Sequence, residues 1–283
     1  MRTDLIIDVG MHVGHDTWFY LAKGFNVVAI EANPELAREA EARFAGEIDD
    51  GRLRIFPVAI AEQTGTARLA LADRPSYSSL SPADVKRAEG RGVHFHDVEV
   101  PAVQFEDILD EVDIPYYLKV DIEGFDLLCV RALSRFDDRP VYISIESSVK
   151  SAERHAFGKI FEELNTLRKL GYRRFKYIDQ LQIQTLPDPP LEGRHFVQPM
   201  PGVDASGAFG AETPGRWEPF VRALLRGWAL RALRVVAGRD GWLASLPPGR
   251  LPLYRSLRFR IRKLSTGPVD LHARLSGVSQ RTQ

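Results

Sequence analysis

The sequence predicts an α/β protein built on an open, mostly parallel sheet with helices on both faces. Short runs rich in β-branched residues alternate with longer segments of helical periodicity, which is typical of βαβ units. Acidic residues end several predicted strands, and glycines follow the first one. Ligands of open α/β sheets bind at the carboxyl ends of the strands, so the sequence places a candidate site at that edge.

The composition narrows the class of protein further. The chain has 283 residues, of which 44% are hydrophobic and 27% charged, as in soluble globular proteins. The single cysteine, Cys129, excludes an intramolecular disulfide and multi-cysteine metal sites. The sequence contains no apolar run long enough for a transmembrane helix and no signal-peptide pattern. We therefore expect a cytoplasmic protein.

Local signals define the strands. The predicted strands are 5–9, 26–31, 54–60, 67–71, 98–103, 116–121, 141–146, 172–177 and 181–186. Each is a short run rich in apolar residues, and most include β-branched or aromatic ones. The last two are expected to pair with each other as an antiparallel closure of the sheet.

Helical periodicity and capping residues define the helices between them. The predicted helices are 16–23, 34–44, 124–134, 152–170 and 219–237. Gly24 is expected to end the first helix, and Asn33 followed by Pro34 suits the cap and first turn of the second. Three parts follow: a main domain over 1–186, a Pro- and Gly-rich lid or linker over 187–216, and a basic, mostly helical extension over 217–283.

Net charge is zero, but it is divided unevenly. Residues 217–283 carry 13 Lys or Arg and three acids, a net charge of +10, so residues 1–216 carry −10. In the helix predicted over 219–237, apolar residues occupy one sector and arginines the other half. Such a helix could dock on the acidic body or a second subunit, or contact an anionic membrane, for instance at its inner face. Few aromatics interleave with the arginines, which disfavours nucleic acid.

The first two strand ends predict a nucleoside site. Asp8 ends the first strand, Gly10 and Gly14 allow a tight turn and close approach of a ligand, and Glu31 ends the second strand. A carboxylate in that position can accept hydrogen bonds from both ribose hydroxyls.

Two cofactors fit this pattern. A dinucleotide fingerprint needs a glycine where His12 stands, and Asp16 would place a negative charge near the pyrophosphate. S-adenosylmethionine has no phosphate and carries a positive sulfonium, which an acid such as Asp8 would favour. An NAD(P)-dependent oxidoreductase and a non-catalytic nucleoside-binding module remain the alternatives.

Charged residues also cluster at a later strand end. Lys119, Asp121 and Glu123 alternate with Val120 and Ile122, so period-two geometry places the three charged side chains on one side. Such convergence indicates a functional edge, although a structural Lys–Asp ion pair would produce the same spacing.

These residues resemble a known family. The segments 8–14, 31–34 and 119–124 are similar to those of the FkbM family of S-adenosylmethionine-dependent methyltransferases, with further matches at 78–80, 105–109 and 206–210. The resemblance covers about 5–210 and nothing in 217–283. Met11 and His12 stand where the family usually has Ala-Asn, and Ala32 replaces a common proline.

The resemblance implies a Rossmann-like class I methyltransferase sheet and O-methylation of a sugar, polyketide or other natural product. The implied cofactor-binding residues are Asp8, Gly10, His12, Gly14, Glu31, Ala32 and Asp121. Asp121 and Glu123 are the candidate bases for the acceptor hydroxyl, with His12 and Lys119 beside them. Asp121, Glu123 and Glu146 carry oxygens that Mg²⁺ prefers, but their spacing is not a dedicated metal motif, so a metal is not favoured.

Overall fold

The computed structural model describes residues 1–72, 85, 89–90, 92–122, 124–150, 155–180, 183, 186, 190–198, 206–237 and 269–275. The strands are β1 (Arg2–Val9), β2 (Asn26–Ile30), β3 (Leu53–Phe56), β4 (Ala59–Ile60), β5 (Gly65–Ala72), β6 (Phe95–Val103), β7 (Pro115–Val120), β8 (Tyr142–Glu146), β9 (Tyr172–Asp179) and β10 (Val269–Leu275). The helices are α1 (His15–Ala22), α2 (Pro34–Arg43), α3 (Ala45–Asp49), α4 (Phe105–Val112), α5 (Asp126–Ala132), α6 (Ala156–Lys169) and α7 (Phe220–Ala237).

A seven-stranded sheet organises the molecule, in the order β3-β2-β1-β7-β8-β10-β9. Its paired strands run parallel except for β10, which is antiparallel to both neighbours. One face packs against α4, α5, α6 and α7, and the other against α1, α2 and the segment around Phe209. The predicted open α/β sheet with helices on both faces is confirmed.

The order of the strands reverses at β1. The chain builds outward from β1 through β2 to β3, and later returns to place β7 on the other side of β1. Ligands of open α/β sheets bind at the carboxyl ends of the strands beside such a reversal. The loops after β1, β2 and β7 meet at this carboxyl edge.

The predicted cap of the second helix is confirmed. The side chain of Asn33 accepts hydrogen bonds from the backbone N–H groups of Glu35 and Leu36, and Pro34 occupies the first turn. The chain is thereby turned into α2 directly after Glu31.

The single strand predicted over 54–60 is wrong. β3 belongs to the large sheet, whereas β4 belongs to a separate three-stranded sheet of order β4-β6-β5. Pro57 has no N–H to offer a strand partner, and the Val58 N–H bonds back to the Phe56 carbonyl at 2.9 Å. The chain therefore leaves one sheet for the other at this point.

The strand predicted over 181–186 lies mostly outside the described residues, so its pairing with 172–177 stays a prediction, and the described neighbour of β9 is a different strand. The partner of β9 is β10, which pairs with it from Val269 to Leu275. β10 comes from the part predicted to be mostly helical, although the predicted helix before it is present as α7. The sheet is therefore not completed within 1–186.

Several predicted features fall where nothing is described. They are the segments 78–80, 181–182, 184–185 and 238–268, together with Glu123. Among the residues that are described, no helix is long and apolar enough to span a bilayer.

Shortening a core side chain of β10 tests its place in the sheet. Leu271 is fully buried, so Leu271→Ala should lower the free energy of unfolding by about 2–5 kcal/mol. Leu225→Ala is the control, because Leu225 is 57% exposed and its loss should cost less than about 0.5 kcal/mol. Urea unfolding measures both. Equal, small changes would show that 269–275 does not lie in the core.

Candidate active site

The turn after β1 needs its glycines. Gly10 has φ of +84°, and a Cβ there would collide with the backbone carbonyl of Asp121. Gly14 has φ of +78°, and a Cβ there would press on the Phe44 ring. The two glycines therefore let the turn approach the end of β7 and the end of α2 closely.

Glu31 fastens this turn to the start of α2. One carboxylate oxygen accepts the His12 backbone N–H at 2.7 Å, and the other accepts the Asn33 backbone N–H at 2.8 Å. Burial raises the pKa of Glu31, and these two hydrogen bonds oppose the shift. A carboxylate has about four acceptor positions, so two remain after the backbone contacts.

His12 combines an unusual backbone with a neutral side chain. Its φ of +54° is uncommon for a residue with a Cβ. Burial lowers the pKa of the imidazole, and the charges of His15 and Lys119 lower it further. Its Nε2 is buried and has no hydrogen-bond partner among the described residues. A neutral ring nitrogen of this kind can accept a proton.

Lys119 lies at the centre of the site. Its Nζ is 3.0 Å from Asp16 Oδ2, 3.3 Å from Asp8 Oδ1 and 3.9 Å from Asp121 Oδ2. Burial alone would lower the pKa of Lys119, but the attraction of these carboxylates outweighs it and raises that pKa well above the ordinary value. The lysine is therefore a fixed cation that holds three acids from different elements together.

Asp16 also belongs to this network, although its sequence position had indicated only that a phosphate would be disfavoured there. It lies in the first turn of α1 with its side chain inward, and the Ser206 hydroxyl donates to its Oδ2 at 2.8 Å. Its Oδ1 is buried without a hydrogen-bond partner among the described residues. Gly207 packs so closely that a Cβ there would lie 2.8 Å from Oδ1.

Asp121 is the accessible acid of the cluster, with 35% of its side chain exposed directly after β7. The alternation predicted for Lys119 and Asp121 brings both to one side, whereas Glu123 lies outside the described residues. Ala32 is half-buried and packs against the small sheet beside the cap of α2. Glu146 ends β8 opposite Asp270 of β10.

A buried polar row crosses the large sheet, and most of it was not predicted. In order across five neighbouring strands it consists of Asp8, Lys119, Ser144, His272 and Lys176. Burial and the charge of Lys176 lower the pKa of His272 to about 3, so its imidazole is neutral. The signal for His272 was the period-two alternation of apolar and polar residues over 269–275, which the basic composition of its surroundings obscured.

The arrangement suits a cationic ligand better than an anionic one. Asp8, Asp16, Glu31 and Asp121 surround the turn, and Lys119 is the cation among them. Within the described ranges, no three His, Cys, Asp or Glu side chains are grouped to hold a metal ion.

A family model described as "Methyltransferase FkbM domain" matches residues 8–174. This chain belongs to that family. The match begins at Asp8 and includes the glycine turn, Glu31, Lys119 and Asp121. The resemblance noted in the sequence, and the sheet it implied, are therefore confirmed.

Solved structures similar to this FkbM domain chain are distant. An FkbM methyltransferase from Methylobacillus flagellatus KT is 20% identical, with a TM-score of 0.34, over 52% of this chain and 34% of its own length. An S-adenosylmethionine-dependent methyltransferase from Archaeoglobus fulgidus is 9% identical over 96% and 86% of the two chains, with a TM-score of 0.39. No curated protein matches the sequence. The family assignment therefore rests on the match over 8–174.

Replacing the buried Lys119 should lower the free energy of unfolding by an amount that depends on pH. Lys119→Met should destabilise the fold by about 3–5 kcal/mol at neutral pH, because Asp8 and Asp16 lose their buried partner. Burial already raises the pKa of Asp8, and without the cation that pKa rises further above its unfolded value. The folded variant then binds protons more readily than the unfolded chain, so its stability deficit shrinks as the pH falls from 8 to 5.

Denaturant unfolding at both pH values measures this deficit. Lys169→Met is the control, because Lys169 is exposed at the end of α6 and its loss should change stability by less than about 0.5 kcal/mol. A deficit for Lys119→Met that is the same at pH 5 and pH 8 would contradict the network.

Proposed function

We propose that this protein is an S-adenosylmethionine-dependent methyltransferase that methylates a hydroxyl group of a small-molecule or glycan acceptor. The observation that carries the proposal is the set of four carboxylates around the turn after β1, three of which share Lys119 as their cation. Family membership supports methyl transfer, and the charge of the site supports this cofactor.

The carboxylates of the site suit two polar parts of the cofactor, namely the ribose and the positively charged sulfonium and ammonium groups. Glu31 keeps free acceptor positions that suit the two ribose hydroxyls. The buried Oδ1 of Asp16, which has no hydrogen-bond partner within the described part of the chain, and the accessible carboxylate of Asp121 provide negative charge that suits a sulfonium and an ammonium group. A pyrophosphate, by contrast, would face Asp16 in the first turn of α1, which disfavours NAD(P).

When bound, S-adenosylmethionine supplies an electrophilic methyl group. The chain's own residues have three tasks. Glu31 orients the ribose, Lys119 fixes the carboxylates of Asp8 and Asp16, and Asp121 accepts the proton that the acceptor hydroxyl releases. His12 is a second candidate base, because its ring is neutral and its Nε2 is unpartnered among the described residues. Glu123 remains a candidate base from its sequence position alone.

Calorimetric titration with S-adenosylhomocysteine, NAD and NADP tests the cofactor. We expect S-adenosylhomocysteine to bind and the nicotinamide cofactors not to bind. Glu31→Ala should weaken binding at least about tenfold, since it removes charge-assisted hydrogen bonds to the ribose. Because Glu31 also holds two backbone amides, a thermal melt must show that the variant is folded at the titration temperature. Tighter binding of NAD or NADP would overturn the proposal.

Transfer of a ¹³C-labelled methyl group tests the reaction. The labelled cofactor is incubated with hydroxyl-rich metabolite and glycan pools, and NMR of the product distinguishes O-methyl from N-methyl carbons. Asp121→Asn should lower transfer by about 100-fold or more, in the range of general-base catalysis, while the melting temperature stays within a few degrees. His12→Asn tests the second candidate base in the same assay. Asn is chosen because it tolerates the positive φ that His12 adopts. Label appearing only on nitrogen would contradict O-methylation, and full activity of Asp121→Asn would remove Asp121 as the base.

A further inference from the structure

Helix α7 packs on α6 and β9 through a side that carries small residues. Ala223 is fully buried, and a Cβ on Gly227 would clash with Ile160 and with the Tyr177 ring. These two small residues are four apart, so they form one stripe that rests on α6 and β9. The helix is therefore held by close backbone approach at these two residues, together with the half-buried Phe220, Leu224 and Leu230.

One side of α7 carries large apolar side chains that point away from the rest of the protein, whereas Phe220, Leu224 and Leu230 pack against the core. Val221 is 63% exposed, and Leu225, Trp228 and Val235 are also exposed along the same side of the helix. On the adjacent α6, Phe157 and Phe161 are exposed as well, and the Trp228 indole N–H donates to the Phe157 carbonyl at 3.2 Å. We call these six residues the outer apolar face. An exposed apolar surface of this kind marks an interaction site.

Charge decides which partner fits the outer apolar face. Residues 217–283 carry a net charge of +10 by sequence, and the exposed Arg222 and Arg226 lie on α7 beside the apolar residues, Arg226 also pairing with Glu218 at 3.2 Å. A two-fold contact with a second copy would bring two such basic segments together, which repels. An anionic bilayer surface satisfies both features, because it buries apolar side chains and neutralises arginines.

We propose that the outer apolar face docks on an anionic bilayer surface, with α7 lying in the plane of the interface. The direction of α7 links this contact to the candidate site. Glu218, two residues before α7, bridges to Phe175 in the middle of β9, Gly227 in the middle of the helix lies against Tyr177, and Arg234 in its last turn approaches Asp179 at the end of β9. Since β9 is parallel to β8, that end belongs to the carboxyl edge where Asp121 lies. The docked helix therefore holds the candidate active site near the bilayer.

Vesicle co-sedimentation of the full-length protein tests the proposal. Vesicles of phosphatidylcholine with 30% phosphatidylglycerol are compared with pure phosphatidylcholine vesicles at low and physiological salt. We expect binding to the anionic vesicles only, weakened by salt. Leu225→Glu should reduce the partition at least tenfold, because it places a charge in the centre of the outer apolar face. Leu191→Glu is the matched control, since Leu191 is 55% exposed outside α7 and its replacement should leave binding unchanged.

Three results would overturn the proposal. In the first, the full-length protein does not bind to anionic vesicles. In the second, Leu225→Glu and Leu191→Glu bind equally. In the third, light scattering shows a dimer that Leu225→Glu dissociates, while vesicle binding is absent. A thermal melt of each variant shows that it is folded. The assay contains no cofactor, so its outcome is independent of the titrations that test methyl transfer.

Discussion

The Lys119 ammonium is buried among carboxylates that come from three different parts of the chain. Asp8 is the penultimate residue of β1, Asp16 lies in the first turn of α1, and Asp121 follows β7. A buried charge is tolerated only when it is paired, so Lys119, Asp8 and Asp16 can be buried only together. This requirement fixes how β1, β7 and α1 meet, and thereby positions the turn in which a ligand would lie. The same group of charges serves the fold and the candidate site.

The part of the chain after the family match also contacts the Lys119 network and the large sheet. Ser206 donates to Asp16, Phe209 stacks on Tyr117 with ring centroids 4.1 Å apart, and β10 inserts between β8 and β9. Through β10, His272 joins the same buried row as Lys119, two strands away. The basic part of the chain is therefore not a separate appendage. It supplies one strand of the sheet and, in α7, the surface that we assign to a bilayer.

Local signals in the sequence were enough to predict much of this arrangement. The first strand over 5–9, the cap at Asn33 and the shared side of Lys119 and Asp121 each depend on neighbours in the chain, and the structure has all three. The split at Pro57 and the insertion of β10 were not predicted, because they depend on which distant strand offers hydrogen-bond partners. Asp16 was missed for a related reason: its partners Lys119 and Ser206 are far away in sequence.

The coupling free energy between Lys119 and Asp16 tests the central claim most directly. A double-mutant cycle of Lys119→Met and Asp16→Asn, measured by urea unfolding at neutral pH, isolates this pair from the rest of the network. We predict that the double variant is more stable than the sum of the single changes by at least about 1 kcal/mol, because Asp16→Asn removes one of the charges that Lys119→Met leaves unpaired. Additive changes, within about 0.5 kcal/mol, would show that the two side chains do not depend on each other and would contradict this account of the site.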